Sequence, residues 1–327
     1  MSKHPAGKIS VTKHKPAVGI SACLLGEKVR YDGGHKLNPY LKDVLGQYVE
    51  WVSVCPEVEC GLPVPREAMH LTGDPQSPCL LTIKTGVDHT KKMTDWARVK
   101  LNELEPLQLC GFIFKSKSPS SGMRDIKVYD SHGMPSKKSA GLWAMHFMKH
   151  FPQIPVEDDG RLNDPGLREN FIERIFTVHR WQKFLSPNPD VKRLIQFHTK
   201  HKLQVMTHSP EGLRKLGKLV ADANKTNLEN TLHSYYSILI DLLKHAATIK
   251  KNVNVLYHIM GYFKKQLSPD EKQELIEVIE NYHKKQVPLI VPVTLLNHYV
   301  RKYDIIYLKQ QVYLNPHPME LMLRNHV

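Results

Sequence analysis

The chain lacks any apolar run approaching the ~20 residues that cross a bilayer, and its mean hydropathy is -0.39, which suits a protein in water. Residues 1–16, MSKHPAGKISVTKHKP, have basic and polar side chains but no apolar core of the secretory kind, and read as a flexible N-terminus. No C-x-x-C pair occurs, so a thioredoxin-like dithiol or a zinc ribbon has no support. Cysteine itself is scarce: five residues, an odd count with no regular framework. That argues for reduced thiols in a cytoplasm over a disulfide scaffold. There is no internal repeat and no low-complexity tract.

Acid is also in short supply. Against 46 Lys+Arg stand 32 Asp+Glu, a net charge of +14 over 327 residues. The surplus is uneven: residues 1–170 hold 23 basic and 19 acidic residues, residues 171–327 hold 23 and 13. A basic C-terminal half points to a polyanion, with nucleic acid the first candidate; the alternative is a solvated basic surface.

What is present divides the chain. Short apolar runs at Val18–Ala22, Tyr48–Val54 and Leu109–Phe114, bounded by Gly, Pro and Ser, read as buried strands. Leu80–Ile83 and Ile126–Tyr129 read as further strands, and Thr94–Leu104 and Gly141–His150 as helices. This alternation predicts an α/β domain over residues 17–150, a Rossmann-like open sheet. Residues 151–165, rich in Pro, Gly and acid, read as a linker. Over 166–327 the period becomes helical. Leu167, Phe171, Ile175, Val178 and Trp181 form one apolar stripe. Ser209-Pro210, Ser268-Pro269-Asp270-Glu271 and Thr226-Asn227-Leu228-Glu229 read as helix starts. Five to seven helices and no sheet are expected there.

Three stations follow the strands: Cys23 in SACLLG, Cys55 in VCPEVEC, and the turn Ser116–Gly122. Strand ends of an open α/β sheet converge on one edge, where ligands collect. Cys23 and Cys55 could be metal ligands or buried structural thiols. Cys60, five residues past Cys55, could approach the same site, while Cys79 and Cys110 read as small core residues. His198 and His201 share a helix face among lysines, more consistent with a solvated or phosphate-facing surface than with zinc. The turn at Asp32-Gly33-Gly34 is weak evidence by itself. Ser118, Ser120 and Ser121 could bind an anion or supply a hydroxyl.

Several motifs occur in order: SACLLG, Val29-Arg30-Tyr31-Asp32-Gly33, Val54-Cys55-Pro56-Glu57-Val58, Gly61-Leu62-Pro63-Val64-Pro65-Arg66-Glu67 and Lys117-Ser118-Pro119-Ser120-Ser121-Gly122. Together they resemble the DUF523 family of thiouracil desulfurases. Phe197–Lys202, Thr207-His208-Ser209-Pro210 and Leu216-Gly217 resemble the YbgA-like DUF1722 domain. The fused arrangement is similar to the tRNA 4-thiouridine desulfurases. The resemblance implies a [4Fe-4S] cluster on three cysteines with one iron left open for the thiocarbonyl sulfur. The desulfuration it implies is non-redox, in a cytoplasmic protein with tRNA as partner and neither membrane nor obligate protein partner.

Carried over by position, Cys23 and Cys55 are cluster ligands. Glu57 is the candidate general base or proton shuttle, and Ser118 a hydrogen-bond partner for the pyrimidine or the departing sulfur. Arg30 and Asp32 shape the pocket or form a structural ion pair. Lys192, Arg193, Lys200, Lys202, Arg214, Lys215 and Lys218 are the candidate RNA contacts. The family's third cysteine position holds Ser121 here, a harder and far less acidic donor. Ser121 oxygen or Cys60 could complete the site, Ser121 could be an introduced change that traps an inactive protein, or the chain could retain only tRNA binding. A desulfurase of free thiouracil is the further alternative, though it leaves the basic helical half without a role.

Overall fold

The computed structural model describes residues 15–130 and 132–326. They form two compact units, divided between Leu162 and Asn163. Most of the segment read as a flexible N-terminus lies outside the described residues.

The first unit is built on a parallel sheet. Strands β1 (Ala17–Ser21), β2 (Glu50–Val54), β5 (Gly111–Phe114) and β8 (Val156–Asp158) lie in the order β2-β1-β5-β8, every pair parallel. Both β1 and β5 are buried along their whole length, as expected of strands covered on two faces. Gly19 pairs with Phe112 across the sheet, and a Cβ at Gly19 would fall 2.1 Å from the Phe112 ring. The missing side chain therefore makes room for a core aromatic. That ring packs with Phe114, Phe147 and Trp143, beneath helices α2 (Thr90–Leu104) and α3 (Leu142–His150).

A second sheet takes the order β4-β3-β6-β7, from β3 (Met69–Asp74), β4 (Ser77–Thr82), β6 (Ile126–Tyr129) and β7 (Pro135–Ser139). Its outer pairs are antiparallel and its central pair is parallel. The expected α/β class holds, with this additional mixed sheet.

The segment 151–165 differs from the linker reading. Val156–Asp158 is the edge strand β8, paired to Phe112–Phe114, and Leu162 is buried. Pro155 precedes the strand, and two of its three residues, Glu157 and Asp158, are acidic, so it carries no apolar pattern.

The second unit is helical, with no strand among its described residues. Seven helices of 12–21 residues, α4 (Pro165–Leu185), α5 (Val191–His208), α6 (Pro210–Ala221), α7 (Leu228–Leu243), α8 (Ile249–Met260), α9 (Pro269–His283) and α10 (Ile290–Lys302), precede the one-turn α11 (Ile306–Lys309). Ser209 caps α6 by accepting from Gly212 N–H, and Ser268 with Glu271 closes a capping box at α9. The capping box expected at Thr226 does not form. Thr226 Oγ1 instead donates to Asn224 Oδ1 at 2.6 Å, and α7 starts after Asn227. Among the described residues no helix is long and apolar enough to cross a membrane.

The stripe on α4 is only half of its buried surface. Asn170, Glu173 and Thr177 are buried as well, and polar partners compensate for their burial. Gln204 Nε2 donates to Glu173 and Thr177, and Arg180 donates to His201, Thr177 and the carbonyl of Pro316.

Candidate active site at the carboxyl edge of the parallel sheet

The ends of β2, β1 and β5 are adjacent, so the residues that follow them converge. Cys23 sits in the 3-10 turn after β1, Cys55 between β2 and the short helix α1 (Pro56–Glu59), and Lys115–Ser121 in the turn after β5. All three stations line one cavity of about 400 Å³. The convergence expected from the sequence is present.

Both thiols are nearly enclosed, Cys23 at 8% and Cys55 at 9% exposure. Burial, and then the Glu57 carboxylate, pushes the Cys23 thiol up to about 11 and Cys55 up to about 12. Both are therefore protonated at neutral pH in the metal-free chain. A metal group would have to displace those protons on binding. Lys115 and Arg30 oppose the shift at Cys23. Lys115 is held by Asp159 at 2.9 Å, and Asp159 also accepts the Ser116 N–H at 2.7 Å. The Asp159 that orders this turn directly follows β8, so the segment read as a linker helps build the site.

Glu57 is the centre of the polar wall. Its Oε2 lies 3.5 Å from Cys55 Sγ and 3.8 Å from Arg66 Nη2, and its Oε1 accepts a short hydrogen bond from Ser120 Oγ. Arg66 is itself held by the carbonyl of Val29 at 3.0 Å. Ser118 Oγ lies 2.9 Å from Ser120 Oγ and accepts the Ser121 N–H at 3.1 Å. Gly122 lets the turn close: a Cβ there would stand 2.3 Å from Ile126 and 2.7 Å from the Ser118 carbonyl. Lys117, which lines the cavity, adopts φ 59°, a left-handed conformation that costs a side-chain-bearing residue energy and recurs at functional sites.

The other expected residues separate. Arg30 lines the cavity, whereas Asp32 pairs with it at 3.3 Å from a more exposed position and is not part of the lining. Cys60 is not part of the lining either. Its thiol donates to the Glu57 carbonyl at 3.2 Å and packs in a cluster with Leu62, Leu71, Leu80 and Met93. Cys110 is fully buried, as expected, and Cys79 is half-buried in β4. Arg66 stood in the sequence only inside a quoted motif, and Ser120 only as one of three turn serines that could bind an anion or supply a hydroxyl; the structure places both on Glu57.

These donors can be compared with the iron–sulfur group that the resemblance implies. Cys23 and Cys55 supply two thiols on one wall, and Ser121, buried at 3% exposure, lines the cavity at the third position. The donor set matches two of three attachments. The third is a hydroxyl, and among the described residues no other cysteine lines the cavity to replace it.

In the second unit, Lys192, Lys200, Lys202, Arg214, Lys215 and Lys218 are exposed along α5 and α6. Lys215 pairs with Glu211 at 2.9 Å. Arg193 departs from this pattern: its guanidinium donates to the carbonyls of Ser186, Pro187 and Asn188 and stacks over Phe184. It latches the start of α5. His201 is also not at a surface. It is buried between the Phe197 carbonyl at 2.7 Å and Arg180 Nε at 3.2 Å.

Comparison with known proteins agrees with this division. Residues 18–159 match the family model for 2-thiouracil desulfurase, and residues 202–318 match that of DUF1722, a protein family of unknown function. The uncharacterized protein YbgA of Escherichia coli (strain K12) is 31% identical over 158 residues, covering 48% of this chain and 94% of YbgA. Among solved structures, the [4Fe-4S]-dependent thiouracil desulfidase TudS is 30% identical, over 46% of this chain and 95% of TudS, with a TM-score of 0.37.

Proposed function

The chain belongs to the DUF1722 family through its second unit and carries a 2-thiouracil desulfurase domain as its first, and from this premise we propose that it converts 4-thiouridine in tRNA to uridine. The observation that carries the reading is the convergence of Cys23, Cys55, Glu57 and Ser118 on one cavity at the carboxyl edge of the sheet.

The reaction exchanges sulfur for oxygen without net redox change: C=S and water give C=O and H2S. Cys23 and Cys55 would hold an iron–sulfur cluster, with Ser121 at the third position. A bound cluster supplies an iron Lewis acid for the soft sulfur. The remaining work falls to the chain. The cavity encloses the thiocarbonyl, and Ser118 presents a hydroxyl to the pyrimidine. The Glu57 carboxylate, held by Ser120 and Arg66, is placed to take a proton from water as it adds to the ring carbon. Lys115, Lys117 and Arg66 line the same cavity and balance developing negative charge.

The basic faces of α5 and α6 account for the choice of tRNA over a free base. Contacts to phosphate supply affinity without reading sequence. A solvated surface would show no such dependence on charge.

Ser121 favours one second reading, a protein that binds thiolated tRNA but turns it over poorly. The two are separated by incubating anaerobically reconstituted protein with 4-thiouridine-containing tRNA and with free 4-thiouracil, following sulfide release and nucleoside mass. Sulfide from tRNA in preference to the free base supports the proposal. Tight tRNA binding without sulfide supports the second reading, and turnover of the free base alone removes tRNA from the function.

A further inference from the structure

The wall that holds Glu57 also fixes which way its hydroxyl protons point. A carboxylate can only accept hydrogen bonds, whereas a serine hydroxyl has one proton to give and lone pairs to receive. Ser120 Oγ is within bonding reach of both Glu57 Oε1 and Ser118 Oγ and is fully buried. Its single proton goes to the carboxylate, the stronger acceptor. The contact of 2.9 Å between Ser120 and Ser118 must then be made with the proton of Ser118. Ser118 Oγ already accepts the Ser121 N–H at 3.1 Å. Its proton and one lone pair are thus committed inside the wall, and one lone pair remains on a residue that lines the cavity.

Resting on the reading of the cavity as a thiopyrimidine site, we propose that Ser118 is a hydrogen-bond acceptor toward substrate, and that Ser120 is the positioning residue that locks it in that polarity. The group it selects is a ring N–H beside the thiocarbonyl, as in 4-thiouracil, where the nitrogen between the two carbonyl-type carbons carries a proton. A ring whose corresponding nitrogen is methylated or bears only a lone pair leaves the Ser118 acceptor unpaired. Sites built to pair a polar group reject analogues that lack it much more strongly than apolar pockets reject a missing methylene. The run of hydrogen bonds from substrate N–H to Ser118 to Ser120 to Glu57 makes the charge of Glu57 the origin of the selectivity.

The test compares ligands that differ only at this nitrogen. Uracil and 3-methyluracil are titrated into the protein by calorimetry, and 4-thiouracil and its 3-methyl analogue are compared as substrates by kcat/KM. The unmodified protein is expected to prefer the N–H form by at least about 10-fold in each comparison. Ser118→Ala is expected to bring the preference close to one. Ser120→Ala, which keeps the bulk of Ser118 in place, should reduce it by freeing the hydroxyl to turn. Steric exclusion of the methyl group alone would leave the preference intact in Ser120→Ala, and that result overturns the proposal. Equal binding of uracil and 3-methyluracil by unmodified protein overturns it as well. The binding arm decides the matter without turnover. If no thiopyrimidine is desulfurated yet uracil is still preferred, the functional reading falls while the acceptor role of Ser118 stands.

Discussion

The thiol of Cys55 and the carboxylate of Glu57 face each other across 3.5 Å, with Arg66 reaching the same carboxylate oxygen at 3.8 Å. Two groups that each lose affinity for negative charge when the other carries it are thus held together. Burial first, and then this carboxylate, keeps the thiol protonated up to about 12. Glu57→Gln removes the charge but keeps most of the shape. The expected result is a lower ionisation midpoint for Cys55, read as faster alkylation of metal-free protein at mildly alkaline pH. An unchanged alkylation profile would mean burial alone sets the thiol.

Asp159 carries a comparable dependence at the other side of the cavity. It accepts from Lys115 Nζ and from the Ser116 N–H, so Asp159→Ala leaves the Ser116 amide without its acceptor and a mostly buried ammonium with the Ser116 carbonyl and hydroxyl but no counter-charge. The expected cost is about 1–3 kcal/mol, measured as a lowered unfolding midpoint of the first unit. Asp159→Asn should recover part of the loss, because it can still accept from Ser116. A loss of equal size in both variants would place the whole effect in the charge.

That aspartate also shows why part of the site was illegible in the sequence. The three strand-end stations could be read because β1, β2 and β5 are short runs rich in apolar and β-branched residues ending at Ser21, Val54 and Phe114, and parallel strands bring such ends together. β8 could not be read, since three residues after a proline, two of them acidic, carry no usable period. Cys60 was legible as a nearby thiol but not in its direction: a single turn of helix points it toward Leu62 and Leu71 instead of the cavity. Ser120 was one of three turn serines open to an anion-binding or hydroxyl role, and only the fold places it against Glu57, 63 residues earlier. On α4 the apolar stripe was visible, but its buried polar face is paired mainly with residues on other segments.

His201 makes the second unit acid-sensitive. Burial, and then Arg180, lowers its pKa to about 3, so it stays neutral in the folded chain. The unfolded chain takes up its proton near pH 6.5. Below that pH the unfolded state binds more protons, and stability falls as pH falls. The stabilisation is fully present above about 6.5 and is lost progressively toward about 3, a change on the order of a few kcal/mol for a fully buried imidazole. Chemical denaturation of the second unit across this window is expected to show the slope. His201→Gln should flatten it, and an unchanged slope would assign it to other groups.

The basic group separates into exposed side chains, which the proposed function assigns to RNA, and one structural arginine. Replacing Lys192, Lys200 and Lys202 together by Glu is expected to weaken tRNA binding and to flatten its salt dependence. The log–log slope should fall by about 0.7–0.9 for each phosphate no longer neutralised. Arg193→Ala should do something different: it unpairs the carbonyls of residues 186–188 and lowers thermal stability with little change in salt slope. Filter binding across a salt series, with a melting curve for each variant, distinguishes the two. Equal behaviour of Arg193 and the lysines would return Arg193 to the RNA surface.

Ser121 tests the cavity most directly. Its position lines the wall with Cys23 and Cys55, but a hydroxyl is a harder donor than a thiolate and gives up its proton far less readily. Cys60 is directed into an apolar cluster, so reaching the cavity would require it to leave that packing. Ser121→Cys is therefore expected to raise the iron and acid-labile sulfide retained per chain after anaerobic reconstitution and chelator challenge. Cys60→Ser in the same background should leave that retention unchanged. If unmodified protein already holds a full complement and loses it on Cys60→Ser, the short helix α1 must rearrange when metal binds. If it loses the complement only on Ser121→Ala, the serine oxygen is itself a ligand, and two thiolates with one alkoxide suffice for the site.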